Sequence, residues 1–229
     1  MPTTIVTGAN RGIGLELVSQ CLERGDTVIA GCRSPSDAHE LMGLGPEKIL
    51  ELDVGDEASI ASFARSIERP IDLLINNAGT SASNLGLTRD RTGVMDAPID
   101  LTLDLIRING LSAAAMTRNL LGCLKAGSQV VNITSQIGSM VVGANFNDLP
   151  YAASKAVMNM VTVQLANQLK DAGISVVAFH PGWVRTDMGG AGADLSVEES
   201  AQGILSTMQT FELADTGSFL RWDGSVHPW

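Results

Sequence analysis

Positive charge is scarce in this chain. Its 229 residues carry 15 Lys and Arg against 25 Asp and Glu, a net charge of −10. Nucleic acids and anionic membranes both select a basic surface, so neither is expected as a partner. A local basic pocket for a single phosphate is compatible with that total. Cysteine is also scarce: Cys21, Cys32 and Cys123 are the three present, and no CxxC pair occurs. An odd count without metal-ligand spacing argues against a disulfide framework and against a zinc centre, so no metal is expected. Reduced thiols in a cytoplasmic setting are the expectation. No stretch approaches the roughly 18 consecutive apolar residues that span a bilayer, and Met1-Pro2-Thr3-Thr4-Ile5 has no basic n-region. Only 8 prolines stand against 24 glycines, which suits tight turns between regular elements better than a Pro-rich linker. Tyrosine occurs once, at Tyr151.

What is abundant is apolar material. Hydrophobic residues make up 45% of the chain and charged residues 17%, so a large core is expected and disorder is not. Short β-branched runs alternate with stretches of helical period. Strands are predicted at 3–7 (TTIVT), 27–32 (TVIAGC), 48–52, 71–75 (IDLLI), 129–133 (QVVNI), 174–179 and 217–220. Helices are predicted at 12–24, 56–67, 101–124, 150–170 and 196–211, the last with Ser196 as cap. Strand–helix alternation means parallel strands with right-handed crossovers. The expected fold class is α/β: one Rossmann-type domain over 1–229, a doubly wound parallel sheet of about seven strands with helices on both faces.

The first strand runs straight into Thr7-Gly8-Ala9-Asn10-Arg11-Gly12-Ile13-Gly14. Gly8 permits the turn, Gly12 lets a pyrophosphate approach the backbone, and Gly14 allows close packing of the helix on the sheet. The helix start then offers free N–H groups to phosphates. The spacing is GxxxGxG rather than the common GxGxxG. By itself it could be a plain structural turn.

That turn has company. Asn76-Asn77-Ala78-Gly79 follows IDLLI, Ser135 ends QVVNITS, Tyr151-Ala152-Ala153-Ser154-Lys155 forms a YxxxK pair, and Pro181-Gly182-Trp183-Val184-Arg185-Thr186 follows ISVVAFH. In this order and spacing, over essentially the whole chain, the set resembles the short-chain dehydrogenase/reductase family. The tail from Gly217 to Gly224, closing with Pro228-Trp229, resembles its C-factor and sniffer-type carbonyl reductase branch. The resemblance implies reduction of a small-molecule ketone or aldehyde by a nicotinamide cofactor, which Arg33 and Arg11 narrow to NADP(H). It also implies pairing into a homodimer or homotetramer through the long helices that carry Ala113-Ala114-Ala115 and Ala152-Ala153.

Tyr151 and Lys155 lie one helical turn apart and share a face. A nearby ammonium favours the phenolate, so Lys155 is expected to lower the Tyr151 pKa. Read without the rest, the pair could be ordinary packing beside a solvated lysine. Ser135 falls at the carboxyl edge of a strand, where α/β sheets bind ligands, and could hold a carbonyl oxygen; Thr134, Ser139 and Ser154 are neighbours that could be mistaken for it. By resemblance, Asn109 completes the catalytic set by fixing a water beside Lys155, and Lys155 also binds the nicotinamide ribose. Asn109 could instead bond backbone within its helix.

NAD-binding sites of this type place an acidic residue about 20 residues past the glycines. Here Arg33 and Ser34 follow the second strand and Arg11 sits inside the turn, so a 2′-phosphate is expected between the two guanidiniums. Asp37 complicates this, and both arginines could simply be exposed. By resemblance, Asp53 and Val54 touch the adenine, Asn77, Ala78 and Gly79 line the adenine-ribose side, and Pro181, Gly182, Val184 and Thr186 meet the nicotinamide. The remaining cofactor contacts fall on Gly8, Asn10, Arg11, Gly12, Ile13 and Gly14. The substrate pocket is assigned to Ile137, Phe146, Trp183 and Met188, and the Gly189–Gly192 stretch to a lid or to a flexible connection. An NAD-linked alcohol dehydrogenase and a dinucleotide-binding signalling module are the competing functions.

Overall fold

The apolar strands alternate strictly between the two faces of one sheet, and this decides the architecture. Ile5, Leu74, Val130 and Val176 point to one side, while their neighbours Val6, Ile75, Val131 and Val177 point to the other. Both sides therefore need a helical cover. The computed structural model, which describes Met1–Trp229, supplies it with seven strands and seven helices.

The strands are β1 (Thr3–Thr7), β2 (Thr27–Cys32), β3 (Lys48–Glu51), β4 (Ile71–Asn76), β5 (Leu124–Ile133), β6 (Ser175–His180) and β7 (Phe219–Arg221). They form one sheet in the order β3-β2-β1-β4-β5-β6-β7, and every pairing is parallel. The helices are α1 (Gly12–Glu23), α2 (His39–Leu44), α3 (Glu57–Arg65), α4 (Ile99–Ile106), α5 (Ser112–Asn119), α6 (Leu149–Leu169) and α7 (Val197–Thr210). One core lies under α1 and α7, where Leu17, Val18, Ile204 and Met208 meet Val6, Val131 and Phe179. The other lies under α3, α5 and α6, where Ile60, Phe63, Met116 and Ala166 meet Ile5, Leu74 and Val130. Each fully buried aliphatic side chain contributes about 1.5–3 kcal/mol, so the two faces together hold the sheet.

Strand order reverses between β1 and β4. The connections that follow these two strands leave in opposite directions along the sheet, the place where open α/β sheets bind ligands at their carboxyl edge. The expected fold class is thus the observed one.

Three local readings need correction. The helix expected over 101–124 is broken: α4 stops at Ile106, Arg107–Leu111 is a π-helical turn, and α5 ends at Asn119. The wide turn seats Gly110 so tightly against α6 that a Cβ would lie 2.8 Å from the Ser154 carbonyl oxygen. Strand β5 begins at Leu124 rather than 129, with a shift of register against β4 between Ile71 and Leu73. Helix α2, six residues long and ended by left-handed Gly45, was not anticipated. Helix α7 starts as expected, with a capping box between Ser196 and Glu199.

Candidate active site

The glycine turn is forced into shape by its own backbone. Gly8 (φ 64°) and Gly12 (φ 54°) occupy the left-handed region. A Cβ at Gly8 would stand 2.8 Å from Ala78 Cα, and one at Gly14 would overlap the Gly8 carbonyl and the Asn77 amide. Gly14 therefore lets α1 sit close against the ends of β1 and β4, as expected. Asn77 braces this turn from β4: its Nδ2 donates to the Thr7 and Gly8 carbonyls, at 3.0 and 3.2 Å. Thr7 Oγ1 accepts from the Asn77 and Ala78 N–H groups. The sequence placed Asn77 along the adenine ribose; its side chain is instead spent on the turn.

Helix α1 opens at this turn with no side-chain cap and no acidic residue in its first turn. By contrast α3, α6 and α7 are capped by Asp56, Asp148 and Ser196. The α1 amides are left for an anion, and the glycines keep Cβ atoms out of its way, so the residues fit a dinucleotide pyrophosphate. Asn10 is exposed on the turn and Ile13 packs half-buried behind it.

Arg33 stands exposed at the end of β2 and forms no ion pair, as a phosphate-binding residue would. Arg11 is exposed too, but its guanidinium bonds Asp187 at 2.9 Å. Asp37 lies away from the strand end in the turn Pro35–Asp37, exposed, where it accepts from Ser36. Asp53 is exposed and turns its carboxylate onto the Gly55 N–H. Val54 is 9% exposed, and its side chain belongs to the core beneath α3.

Tyr151 and Lys155 do share one face of α6. Lys155 is 4% exposed, and its Nζ donates to the Ile133 carbonyl at 2.9 Å. The same nitrogen sits 5.7 Å from the centre of the Tyr151 ring, within cation–π range. The expected acidification of the phenol is absent. Burial pushes the Tyr151 pKa up, and the nearby Asp148 carboxylate adds to the rise. Burial also holds the Lys155 ammonium down, to about 8. Desolvation dominates, and the ammonium lies over the ring.

Asn109 is fully buried in the π-helical turn. Its Nδ2 donates to the Thr80 carbonyl (2.8 Å) and Ser154 Oγ (3.0 Å), and its Oδ1 accepts from the Thr80 N–H (2.7 Å). A Cβ placed on Gly79 would lie 3.2 Å from Asn109 Oδ1 and 3.7 Å from Lys155 Nζ, so these three residues adjoin. The side chain of Asn109 thus clamps the segment after Gly79 to α6, rather than bonding within its own helix.

Of the four hydroxyls near the end of β5, the structure selects Ser135. Thr134 is committed to Asn159, Ser139 to the Trp229 main chain, and Ser154 to the Tyr151 carbonyl. Ser135 accepts only a 3.3 Å bond from the Ile137 N–H. It lines a cleft of about 340 Å³ with Gln136, Ile137, Phe146, Tyr151, His180, Gly182 and Trp183. Three of the four expected pocket residues are there. Met188, exposed in the following loop, is not. His180 was missed; the one signal for it was its place at the carboxyl end of a strand.

The segment after β6 closes back on the glycine turn. Pro181 and Val184 are buried, and the Val184 N–H has no partner within the chain. A Cβ on Gly12 would lie 3.3 Å from the Thr186 methyl. The stretch through Gly189–Gly192 is well braced. Trp183 Nε1 donates to the Gly189 carbonyl at 2.9 Å, and the Arg185 guanidinium holds the carbonyls of Ala193 and Asp194.

A family model for short chain dehydrogenases matches residues 2–194. The chain belongs to the short-chain dehydrogenase family. Members of this family are oxidoreductases, and the glycine turn, Ser135, Tyr151 and Lys155 fall within the matched span. The C-signal protein of Myxococcus xanthus is 34% identical over 162 residues, covering 70% of this chain and 93% of that protein. Two solved structures superpose over the whole chain. An NADPH-bound carbonyl reductase from chicken fatty liver has a TM-score of 0.90 at 32% identity, covering 100% of this chain and 99% of that one. The carbonyl reductase Sniffer of D. melanogaster has a TM-score of 0.91 at 27% identity, with 100% of both chains covered. The C-factor and sniffer-type resemblance in the tail agrees with these neighbours. No helix of this short-chain dehydrogenase is long and apolar enough to cross a membrane.

Proposed function

We propose that residues 1–229 act as one catalytic domain that reduces a ketone or aldehyde to an alcohol with NADPH, in the cytoplasm. The observation that carries this reading is one cleft, at the carboxyl edge of the sheet, lined by Ser135 and Tyr151 with Lys155 buried behind the tyrosine ring. The uncapped start of α1 meets, at Gly12, Thr186 of the segment that follows Gly182 and Trp183 of the cleft. The NADPH named for the chicken liver reductase supports the choice of cofactor, as does unpaired Arg33.

When bound, the reduced nicotinamide supplies a hydride to the carbonyl carbon. Ser135 and Tyr151 hold the carbonyl oxygen, and their hydroxyls stabilise the negative charge that develops there. Tyr151 gives its proton to that oxygen as general acid. Its raised pKa keeps the Tyr151 phenol protonated at neutral pH, the form that reduction requires, but makes it a weaker acid, so the charge developing on the carbonyl oxygen must draw the proton across. Lys155 holds the ribose and, with Asn109 orienting the segment beside it, returns a proton to Tyr151. The Gly8, Asn10, Gly12, Ile13 and Gly14 turn takes the pyrophosphate. Arg33 and Arg11 take the 2′-phosphate, Asp53 the adenine, and Ala78 and Gly79 its ribose. Pro181, Gly182, Val184 and Thr186 meet the carboxamide. Pairing of two or four copies through α4, α5 and α6 belongs to the same reading; Ile99, Leu103 and Met160 stand exposed on them.

The test is NADPH oxidation over a panel of ketones and aldehydes. Tyr151→Phe should lower kcat by about 10²-fold or more and leave NADPH affinity unchanged. A wild type that reduces no carbonyl refutes the reading. Similarity to the C-signal protein favours one alternative, a dinucleotide-binding regulatory module. Equal effects of wild type and Tyr151→Phe in cells would support it.

A further inference from the structure

The end of the chain is bonded to the segment that carries Ser135. Ser139 is 2% exposed. Its Oγ donates to the main-chain oxygen of Trp229 at 2.8 Å and accepts from the Val141 and Val142 N–H groups, both at 3.2 Å. The Met140 N–H donates to the same Trp229 oxygen at 3.0 Å. Two oxygens therefore gather four donors, and one hydroxyl links them.

Each side of this node is anchored. The tail is held by β7: the His227 N–H donates to the Phe219 carbonyl at 2.8 Å, and the Phe219 ring packs 4.4 Å from His227 and 5.1 Å from Trp229. The His227 ring also meets His180, which lines the cleft, edge-on at 5.6 Å. On the other side, the turn Gln136–Gly138 is closed by Gly138 N–H to Ser135 carbonyl and by Ser139 N–H to Gln136 carbonyl, at 3.0 and 3.1 Å. That turn is pressed on α6: a Cβ at Gly138 would stand 2.6 Å from the carbonyl carbon of Lys155, and Asn159 Nδ2 donates to the Gly138 carbonyl. Beyond it, Met140 and Val141 are 77% and 69% exposed. Apolar packing does not locate this stretch, so the polar node must.

We propose that Ser139 and the Trp229 main-chain oxygen form a positioning clasp, which holds the Gln136–Gly138 turn, and through it Ser135, in register with Tyr151. The inference rests on the reading of the cleft as the site of carbonyl reduction. Ser139 is a positioning residue; it touches neither substrate nor cofactor.

Three variants of the full chain test it: Ser139→Ala, Ser139→Thr, and removal of Pro228 and Trp229. In Ser139→Ala, amide hydrogen exchange at Met140, Val141 and Val142 should accelerate by roughly tenfold or more, with the interior of α6 unchanged. Carbonyl kcat/KM should fall by about tenfold or more, while NADPH affinity stays within about twofold. Ser139→Thr, which keeps the hydroxyl, should restore most of kcat/KM. Removal of the last two residues should reproduce the alanine variant. Unchanged exchange in Ser139→Ala overturns the clasp. So does faster exchange with kcat/KM near wild type, which leaves only a structural tie, or a parallel loss of NADPH affinity, which signals general loosening. A wild type that turns over no carbonyl overturns the reductase reading and the positioning role together, and exchange alone then decides whether the tie exists.

Discussion

Arg33 and Arg11 enter the sequence argument as equals, yet their surroundings predict unequal consequences. Arg33 has no ion-pair partner to lose when a phosphate arrives, whereas Arg11 must leave Asp187 at 2.9 Å. A hydrogen bond to a charged group contributes about 1.5–3 kcal/mol. Arg33→Ala should then weaken NADPH binding by roughly 10- to 150-fold and leave NADH nearly unaffected. The Arg11–Asp187 pair is solvent-exposed, with side chains 55% and 80% accessible, and exposed pairs return only about 0.2–1 kcal/mol. Arg11→Ala should therefore cost less than Arg33→Ala, and Asp187→Asn should tighten NADPH by at most about fivefold. The assay is a fluorescence titration of each variant with NADPH and NADH at low and high salt. The difference between the two cofactors should shrink as salt screens the exposed phosphate contacts. Equal affinities for the two cofactors in the wild type, or an Arg33→Ala loss shared equally by NADH, would refute the reasoning.

Other outcomes can be stated more briefly. The Lys155 ammonium, held down to about 8 by burial, loses its proton as pH rises through that value, so kcat for reduction should be flat below pH 8 and fall above it. A profile flat from pH 6 to 10 would contradict this. Gly14→Ala should destabilise the fold by about 1–3 kcal/mol through overpacking and weaken NADPH binding, since the Gly8 carbonyl and Asn77 amide already fill that space. Gly43→Ala, in α2 with open space around it, should stabilise by about 0.5–1 kcal/mol; paired thermal melts should move in opposite directions. Cys21 and Cys32 are buried, and burial pushes the Cys21 thiol up to about 12. A thiol reagent should label only Cys123 at a useful rate before unfolding and all three cysteines after it.

Much of this protein follows from local pattern. Apolar residues on both faces of IDLLI and ISVVAF call for a sheet covered on both sides, the alternation of strands with helices makes it parallel, and the glycines after β1 suit a close backbone turn. The spacing of Tyr151 and Lys155 puts them on one face of any helix that contains both. These are statements about residues near one another along the chain, where steric rules and period suffice. The choice of Ser135 over Ser139 and Ser154 was of another kind, because it depended on which hydroxyls distant carbonyls had already engaged. The π-helical turn around Asn109 is set by the seat of Gly110 on α6, which helical period cannot reveal. Arg11 meets Asp187, and Ser139 meets Trp229, only after the crossovers bring the sheet edge together. The acidity of Tyr151 went furthest from expectation. A neighbouring ammonium is visible in the sequence, but desolvation sums over every atom packed around the phenol, and that sum exists only in the folded chain.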